Sequence, residues 1–478
     1  MTSFVIFSMT SSAELLIEID RGAPSTLGAQ LQAQLRNSIR SGALRAGTLL
    51  PSTRALSDQL DVSRPIVVDA YEQLAAEGYL QTRRGARAIV SEHVQVSAAL
   101  AGARRTREPV VRFDLRPAVP DLSQFPRKLW LRSVREVLAT MPNGALGYDS
   151  PHGTAQLRSA LAEYLGRVRG VIAHPEHIIV TSGFAEARAI ACEVFAGRGI
   201  ARLAVEDPGY SAWQTVERAG LTRIPIPVDR DGLDVRRLDL VGAQAVFVTP
   251  AHQFPTGVVL AKNRRVELIR WLHQRGAFAL EDDYDVEFRY DHAPIGALQG
   301  LAPDRILYAG TVSKTLAPAL RLGWLAVPRS LVEAARSAQR LWGEGIPRIE
   351  QNALARLIES GGYDRQLRKM RRLYRMRRDT LVSSLSRHLP IAEITGIAAG
   401  LHATVGLPGA IKEEWLLSQL RKRGVAADGM NRYRASPGKQ AVLLLGYGRA
   451  PESALRSAVR VLADVVARVP RAAAPHGG

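Results

Sequence analysis

Apolar residues recur every fourth position from Leu27 through Leu31 and Leu35 to Ile39, which lays them along one face of a helix. The segment LRAGTLLPSTRALSDQL then predicts a second helix, with Ser52 as its N-cap and Leu56 and Leu60 on its inner face. A short Asp-Val-Ser turn leads into a third, RPIVVDAYEQLAAEGYL. In that helix Ile66, Val67, Ala70, Tyr71 and Leu74 pack inward while Ser63 and Arg64, at its start, face outward. YLQTRRGARAIV reads as strand, basic turn and strand, with Arg83, Arg84 and Arg87 around Gly85. From Glu92 to Arg112 the positions are polar and rich in arginine, without a strong amphipathic period, and read as a linker. Beyond it the apolar strands HIIVTSG, RLAVEDPGY, QAVFVTP, AFALEDDY and RILYAGTVSK alternate with helical stretches, the pattern of an α/β sheet with helices on its faces. No internal repeat is present. The texture divides the chain into an N-terminal tail (1–22), a mainly helical domain (23–91), a linker (92–112) and a large α/β domain (113–478).

Length agrees with that division, because 478 residues exceed what one hydrophobic core organises. Hydrophobic residues at 46% and charged residues at 23% describe a chain that is mostly folded. A formal charge of +19 attracts polyanions in a salt-dependent way, although general preference for arginine as the soluble cation also produces such an excess. The single cysteine, Cys192, lies in the apolar stretch AEARAIACEVF. It excludes an internal disulfide or a cysteine-based zinc site and reads as a buried thiol. The apolar run from Phe4 to Met9 lacks a preceding basic residue and is too short to span a bilayer. A soluble, cytoplasmic protein without a membrane partner is expected, with Met9 as an alternative start and no structural role legible before Ser11.

The N-terminal pattern is a helix-turn-helix followed by a basic wing. Arg54, Ser63 and Arg64 stand where a groove would be read, and Arg83, Arg84 and Arg87 where a wing reaches phosphates or the minor groove. A purely structural three-helix module shows the same apolar period but has no use for these cations, so double-stranded DNA is the expected partner. From Leu27 to Val90 the sequence resembles the winged helix of GntR-type regulators, and that resemblance implies DNA contacts at the same residues. The wing departs from the usual G-S-G-T by reading Gly85-Ala86-Arg87-Ala88.

In ILYAGTVSKTLAPALRLG, Lys314 follows a buried strand, with Thr311 and Ser313 beside it and Arg321 seven residues on. A lysine in partly apolar surroundings has a lowered pKa and suits an aldehyde cofactor, while the hydroxyls and Arg321 suit a phosphate. AFALEDDYDVEF ends a strand in carboxylates, where Asp282 suits a pyridinium nitrogen and Tyr284, two residues on, a ring oxygen. Acidic strand ends also bind magnesium, a reading that leaves Lys314 and Arg321 unexplained, and no metal is expected. Ser182, Gly183 and Phe184 open a helix whose N–H groups can take a phosphate, and Tyr210 follows a Pro-Gly turn where its ring would cover a flat ligand.

In this order the segments resemble fold type I enzymes dependent on pyridoxal 5′-phosphate (PLP). HQFPTG, EDDYDVEFRY and GTVSKTLAPALRLG resemble in particular the MocR/GabR-type transcription regulators, over about Phe113 to Val466. The resemblance implies Lys314 as the internal aldimine, Asp282 at the pyridine nitrogen, Tyr284 at the 3-oxygen and Tyr210 stacking. Around the phosphate it implies Ser182, Gly183, Phe184, Thr311, Ser313 and Arg321, with Tyr148 donated across a head-to-tail, domain-swapped homodimer. Two departures bear on activity. Phe254 stands where aminotransferases have the asparagine of N-P-T-G, and counting puts Leu444 where they have a carboxylate-binding arginine, with Lys439, Arg432 and Arg434 nearby. Two functions stay open: a regulator whose aminotransferase-like domain senses an amine, an amino acid or PLP itself, and a working aminotransferase with a fused DNA-binding module. Separately, Arg365, Arg368, Lys369, Arg371, Arg372, Arg375, Arg377 and Arg378 crowd one helical segment, read either as a solvated basic face or as a contact for bent DNA.

Overall fold

The computed structural model describes residues 2–7, 15–82, 86–91, 111–147, 151–210, 214–290, 295–343, 345–409 and 411–468. The chain divides into two units, Met1–Glu108 and Pro109–Gly478.

In the first unit, helices α1 (Leu27–Arg40), α2 (Thr53–Leu60) and α3 (Arg64–Ala76) enclose an apolar core. Leu31, Leu35 and Ile39 are buried and Leu27 is half-buried, as the four-residue spacing predicts. Ser52 caps α2 by accepting from the Ala55 N–H at 3.2 Å, and Asp61 closes that helix in a left-handed conformation. The stretch expected to be a tail is not one. Strands β1 (Thr2–Phe7) and β2 (Leu15–Asp20) pair antiparallel, and Ile17 and Ile19 are each only 1% exposed within the same core. The period-two alternation of LLIEID explains this: Ile17 and Ile19 face in while Glu18 and Asp20 face out. Two glutamines of α1 serve the free edge of β2. Gln34 Oε1 accepts from the Glu18 N–H (2.8 Å), and Gln30 both accepts from the Asp20 N–H (2.9 Å) and donates to the Asp20 carbonyl (2.8 Å). The wing's base is the pair β3 (Leu80–Gln81) and β4 (Ile89–Val90), with Leu49 bridging to Ile89. Its tip, with Arg83 and Arg84, lies outside the described residues, as do most of the expected linker and Tyr148.

In the second unit β5 (Phe113–Asp114) pairs with β16 (Val425–Ala426), and the centre is an eight-stranded sheet. Its strands are β6 (Ile178–Thr181), β7 (Arg202–Asp207), β8 (Thr222–Asp229), β9 (Gly232–Leu233), β10 (Ala245–Val248), β11 (Phe278–Asp283), β12 (Ile306–Thr311) and β13 (Gly323–Ala326). Their order is β6-β13-β12-β11-β10-β7-β8-β9. The five apolar segments singled out in the sequence form β6, β7, β10, β11 and β12. These run parallel, and β13, from the GWLA segment, inserts antiparallel between β6 and β12. Their core residues are buried on both faces, which is why the segments read as continuous apolar runs. A smaller sheet orders β14 (Glu393–Thr395), β15 (His402–Gly406), β18 (Val442–Gly446) and β17 (Asp428–Gly429) as β14-β15-β18-β17. Helices α4 (Arg127–Thr140) and α5 (Ala155–Arg169) precede the central sheet's strands, α6 (Phe184–Gly197) lies between β6 and β7, and the 27-residue helix Gly362–His388 follows them. No helix among the described residues is long and apolar enough to cross a membrane.

Candidate functional site

Because β6, β7, β10, β11 and β12 point the same way, their carboxyl ends share one edge, where open α/β sheets hold their ligands. The residues following these ends are Ser182, Tyr210, His252, Tyr284 and Lys314 with their neighbours.

Alternation along β11 sends Asp282 to the face opposite Glu281 and Asp283. Glu281 accepts from the Leu298 and Gln299 N–H groups, both at 2.9 Å. Asp283 pairs with Arg169 Nε (2.7 Å) and accepts from the Tyr308 hydroxyl (2.6 Å). Asp282 is buried, and its Oδ1 has no hydrogen-bond partner among the described residues. Burial and the neighbouring Asp283 push its carboxyl well up, opposed by Lys314 and Arg188. Lys314 donates to the carbonyl of Ala118 at 2.8 Å, and Ala118 itself takes a positive φ of 59°. Desolvation lowers the Lys314 pKa, with Asp285 and Asp282 opposing it.

A second corner forms where α6 begins. Gly183 has φ +116°, a conformation L side chains rarely adopt, and a Cβ there would stand 3.9 Å from Arg321 Nη1 and 4.0 Å from Thr311 Oγ1. Thr311 Oγ1 lies 2.9 Å from Ser313 Oγ and accepts from the Ser313 N–H at 3.1 Å. Arg321 is exposed, and its guanidinium makes no hydrogen bond or ion pair with a described residue. The Ser182 N–H is taken by Glu186 at 2.6 Å, which leaves the unit's N–H donors at the following residues. Helix start, guanidinium and hydroxyls thus converge as an anion site requires.

Tyr210 meets Phe184 edge-on at 5.9 Å, and the guanidinium of Arg188 lies 4.9 Å from the Tyr210 ring centre. Arg188 is buried with Nε and Nη1 unpartnered, and sequence reasoning passed over it because it sits in an otherwise apolar helix. Also unforeseen is the group behind Tyr284. Its hydroxyl lies 3.0 Å from His252 Nδ1, and that nitrogen lies 3.0 Å from Asp285 Oδ1. Phe254, in the asparagine's place, instead packs its ring edge-on against Tyr284 (6.0 Å) and Tyr433 (5.0 Å). Leu444 is fully buried in β18, Arg432 is exposed beside Asp428 at 3.7 Å, Arg434 is half-buried and Lys439 exposed.

In the first unit Arg54, Ser63, Arg64 and Arg87 are all exposed. Ser63 is the N-cap residue of α3 without a side-chain capping bond, and Arg64 Nε lies 3.4 Å from Thr53 Oγ1, so the two helix starts carry these groups side by side.

Residues 120–442 match the aminotransferase class I and II family, and residues 27–90 match the bacterial regulatory proteins of the gntR family. The pyridoxine biosynthesis transcriptional regulator PdxR of Corynebacterium glutamicum is 33% identical over 95% of this chain and 99% of its own. The probable rhizopine catabolism regulatory protein MocR of Rhizobium meliloti is 32% identical over 94% and 95%. The chain belongs to the MocR-type transcription regulators. Among solved structures, a Pyrococcus horikoshii kynurenine aminotransferase superposes with a TM-score of 0.69 at 24% identity, covering 77% of this chain and 93% of its own, and shows the fold of the second unit. MocR-type regulators join a GntR-type DNA-binding region to a domain of aminotransferase fold, whose cofactor is pyridoxal 5′-phosphate. The buried Oδ1 of Asp282 without a partner, beside a lysine of lowered pKa, fits that cofactor's protonated ring nitrogen and aldehyde.

Proposed function

We propose that the second unit is the sensing half of this DNA-binding regulator, and that an amine, an amino acid or PLP itself is what it senses. When bound, the cofactor supplies an aldehyde that takes up primary amines. Lys314 is its covalent attachment point, and the lowered pKa keeps more of that amine in the neutral, nucleophilic form. Asp282 holds the ring nitrogen protonated, Tyr284 hydrogen-bonds the 3-oxygen under the orientation set by His252, and Tyr210 covers the ring. Ser182, Gly183, Phe184, Thr311, Ser313 and Arg321 hold the phosphate, and Tyr148 of a partner copy completes it in a head-to-tail homodimer. Arg54, Ser63, Arg64 and the wing's Arg83, Arg84 and Arg87 meet the operator, in the cytoplasm.

The observation that carries this reading is the unpartnered Asp282 Oδ1, since a buried acceptor without a donor is costly and a ring N–H relieves it. Leu444, apolar and fully buried at the counted position of the substrate-binding arginine, favours sensing over sustained transamination. The test is the visible absorbance of wild type and Lys314→Ala with added PLP, before and after borohydride. A band in wild type alone, converted by reduction into a permanent adduct, is expected. The same spectrum in both proteins overturns the assignment.

A further inference from the structure

Between α5, the turn after β11 and the helix Gly362–His388 lies a cleft of about 500 Å³ lined by six arginines and two acids. The acids offset only part of this charge. Asp364 is committed to Arg167 at 2.8 Å, and desolvation together with Asp283 pushes the Glu287 carboxyl up to about 7. Arg169 lines the cleft with its side chain only 7% exposed. Its Nε is held by Asp283 and its Nη1 donates to the Ile295 carbonyl, so the guanidinium is fixed while Nη2 stays buried without a partner. Arg371 is likewise fixed by its Nε bond to the Glu287 carbonyl at 2.8 Å. Arg368 is exposed on the same wall and makes no hydrogen bond or ion pair with a described residue. Tyr164, Val286 and Leu367 add apolar lining.

We propose that this cleft is a second ligand site, separate from the cofactor's phosphate corner, and that it binds a small molecule bearing a phosphate group. Several guanidiniums, two of them held in place beforehand, suit a multidentate oxyanion. The volume takes a phosphorylated metabolite, with its organic part against the apolar lining. A cleft of this volume argues for a small molecule that enters it over the backbone of a duplex, which would meet the rim.

The probe is inorganic phosphate, titrated calorimetrically into full-length, PLP-loaded protein so that the Arg321 corner is already filled. Arg368→Ala is the variant, because its side chain is exposed and without a partner among the described residues, and circular dichroism checks its folding. Saturable binding by wild type, weakened about tenfold or more in the variant, with operator affinity in phosphate-free buffer unchanged, is expected. The proposal is overturned by absent or non-saturable binding to wild type, or by an isotherm that Arg368→Ala leaves alone. It is equally overturned by a variant that loses operator affinity in phosphate-free buffer, since the cation would then serve DNA backbone phosphates.

Discussion

Asp282 is buried with an acceptor oxygen that no described residue meets, so its replacement separates binding from stability. Asp282→Asn keeps the shape and removes the charge. It is expected to weaken PLP about tenfold or more, the difference between a charge-assisted and a neutral hydrogen bond, while the cofactor-free protein gains stability because a buried acid whose pKa folding pushes up disappears. A fluorescence titration with PLP and a urea melt measure the two, and unchanged affinity would remove Asp282 from the site. His402 gives a pH test. Burial holds its imidazole down at about 4 against an ordinary value of 6.5, so as pH falls from about 6.5 toward about 4 the unfolded chain binds a proton that the folded chain refuses. Stability present above that window is lost within it, by up to about 1.4 kcal/mol per pH unit. Urea unfolding across this range should show a shallower loss for His402→Gln, and an identical slope would contradict a neutral, buried His402. At this scale the sequence offered Lys314, Asp282 and Arg321 because each residue type matches a chemistry, and the absorbance and titration experiments test their roles. It was silent on Arg188, His252 and Asp285, whose roles arise from contacts between segments far apart in the chain, and no local period marks them.

At the scale of elements, strands and helices with one clear period were legible and edges were not. The parallel strands were found because burial on both faces leaves them apolar throughout. Strand β13 was not separated from the run after Lys314, since four residues of GWLA carry no period of their own. The larger miss was β2, whose alternation is present but whose outer residues Glu18 and Asp20 make it look like a polar tail. Ile17→Ala therefore has an expected cost of about 2–5 kcal/mol in the first unit, the range for truncating a core isoleucine. Chemical denaturation followed by a probe in that unit measures it, and a change within about 0.5 kcal/mol would return the segment to the status of a tail. The basic helix teaches the converse. Arg377 is buried against Asp121 at 2.7 Å, and Arg371, Arg375 and Arg378 turn to carbonyls of Glu287, Tyr290 and Ile397, so part of its charge is structural, while Arg365, Arg368, Lys369 and Arg372 form an exposed, solvated face.

For the molecule as a whole, a winged helix has no part in transamination, and a PLP site has no part in reading DNA, so their fusion has a purpose only if one controls the other. Control requires that the ligand interact differently with two states of the protein, and linkage then makes DNA and ligand each alter the affinity for the other. The net charge of +19 adds a salt-dependent background to operator binding that must be held constant in any comparison. The most direct measurement is operator affinity at fixed ionic strength, using a DNA site selected from a random pool, with and without PLP, for wild type and Lys314→Ala. A PLP-dependent change in wild type that Lys314→Ala abolishes is the predicted result. Equal affinities with and without PLP in wild type, together with sustained turnover of an amino donor and a 2-oxo acid, would contradict it and identify a working aminotransferase.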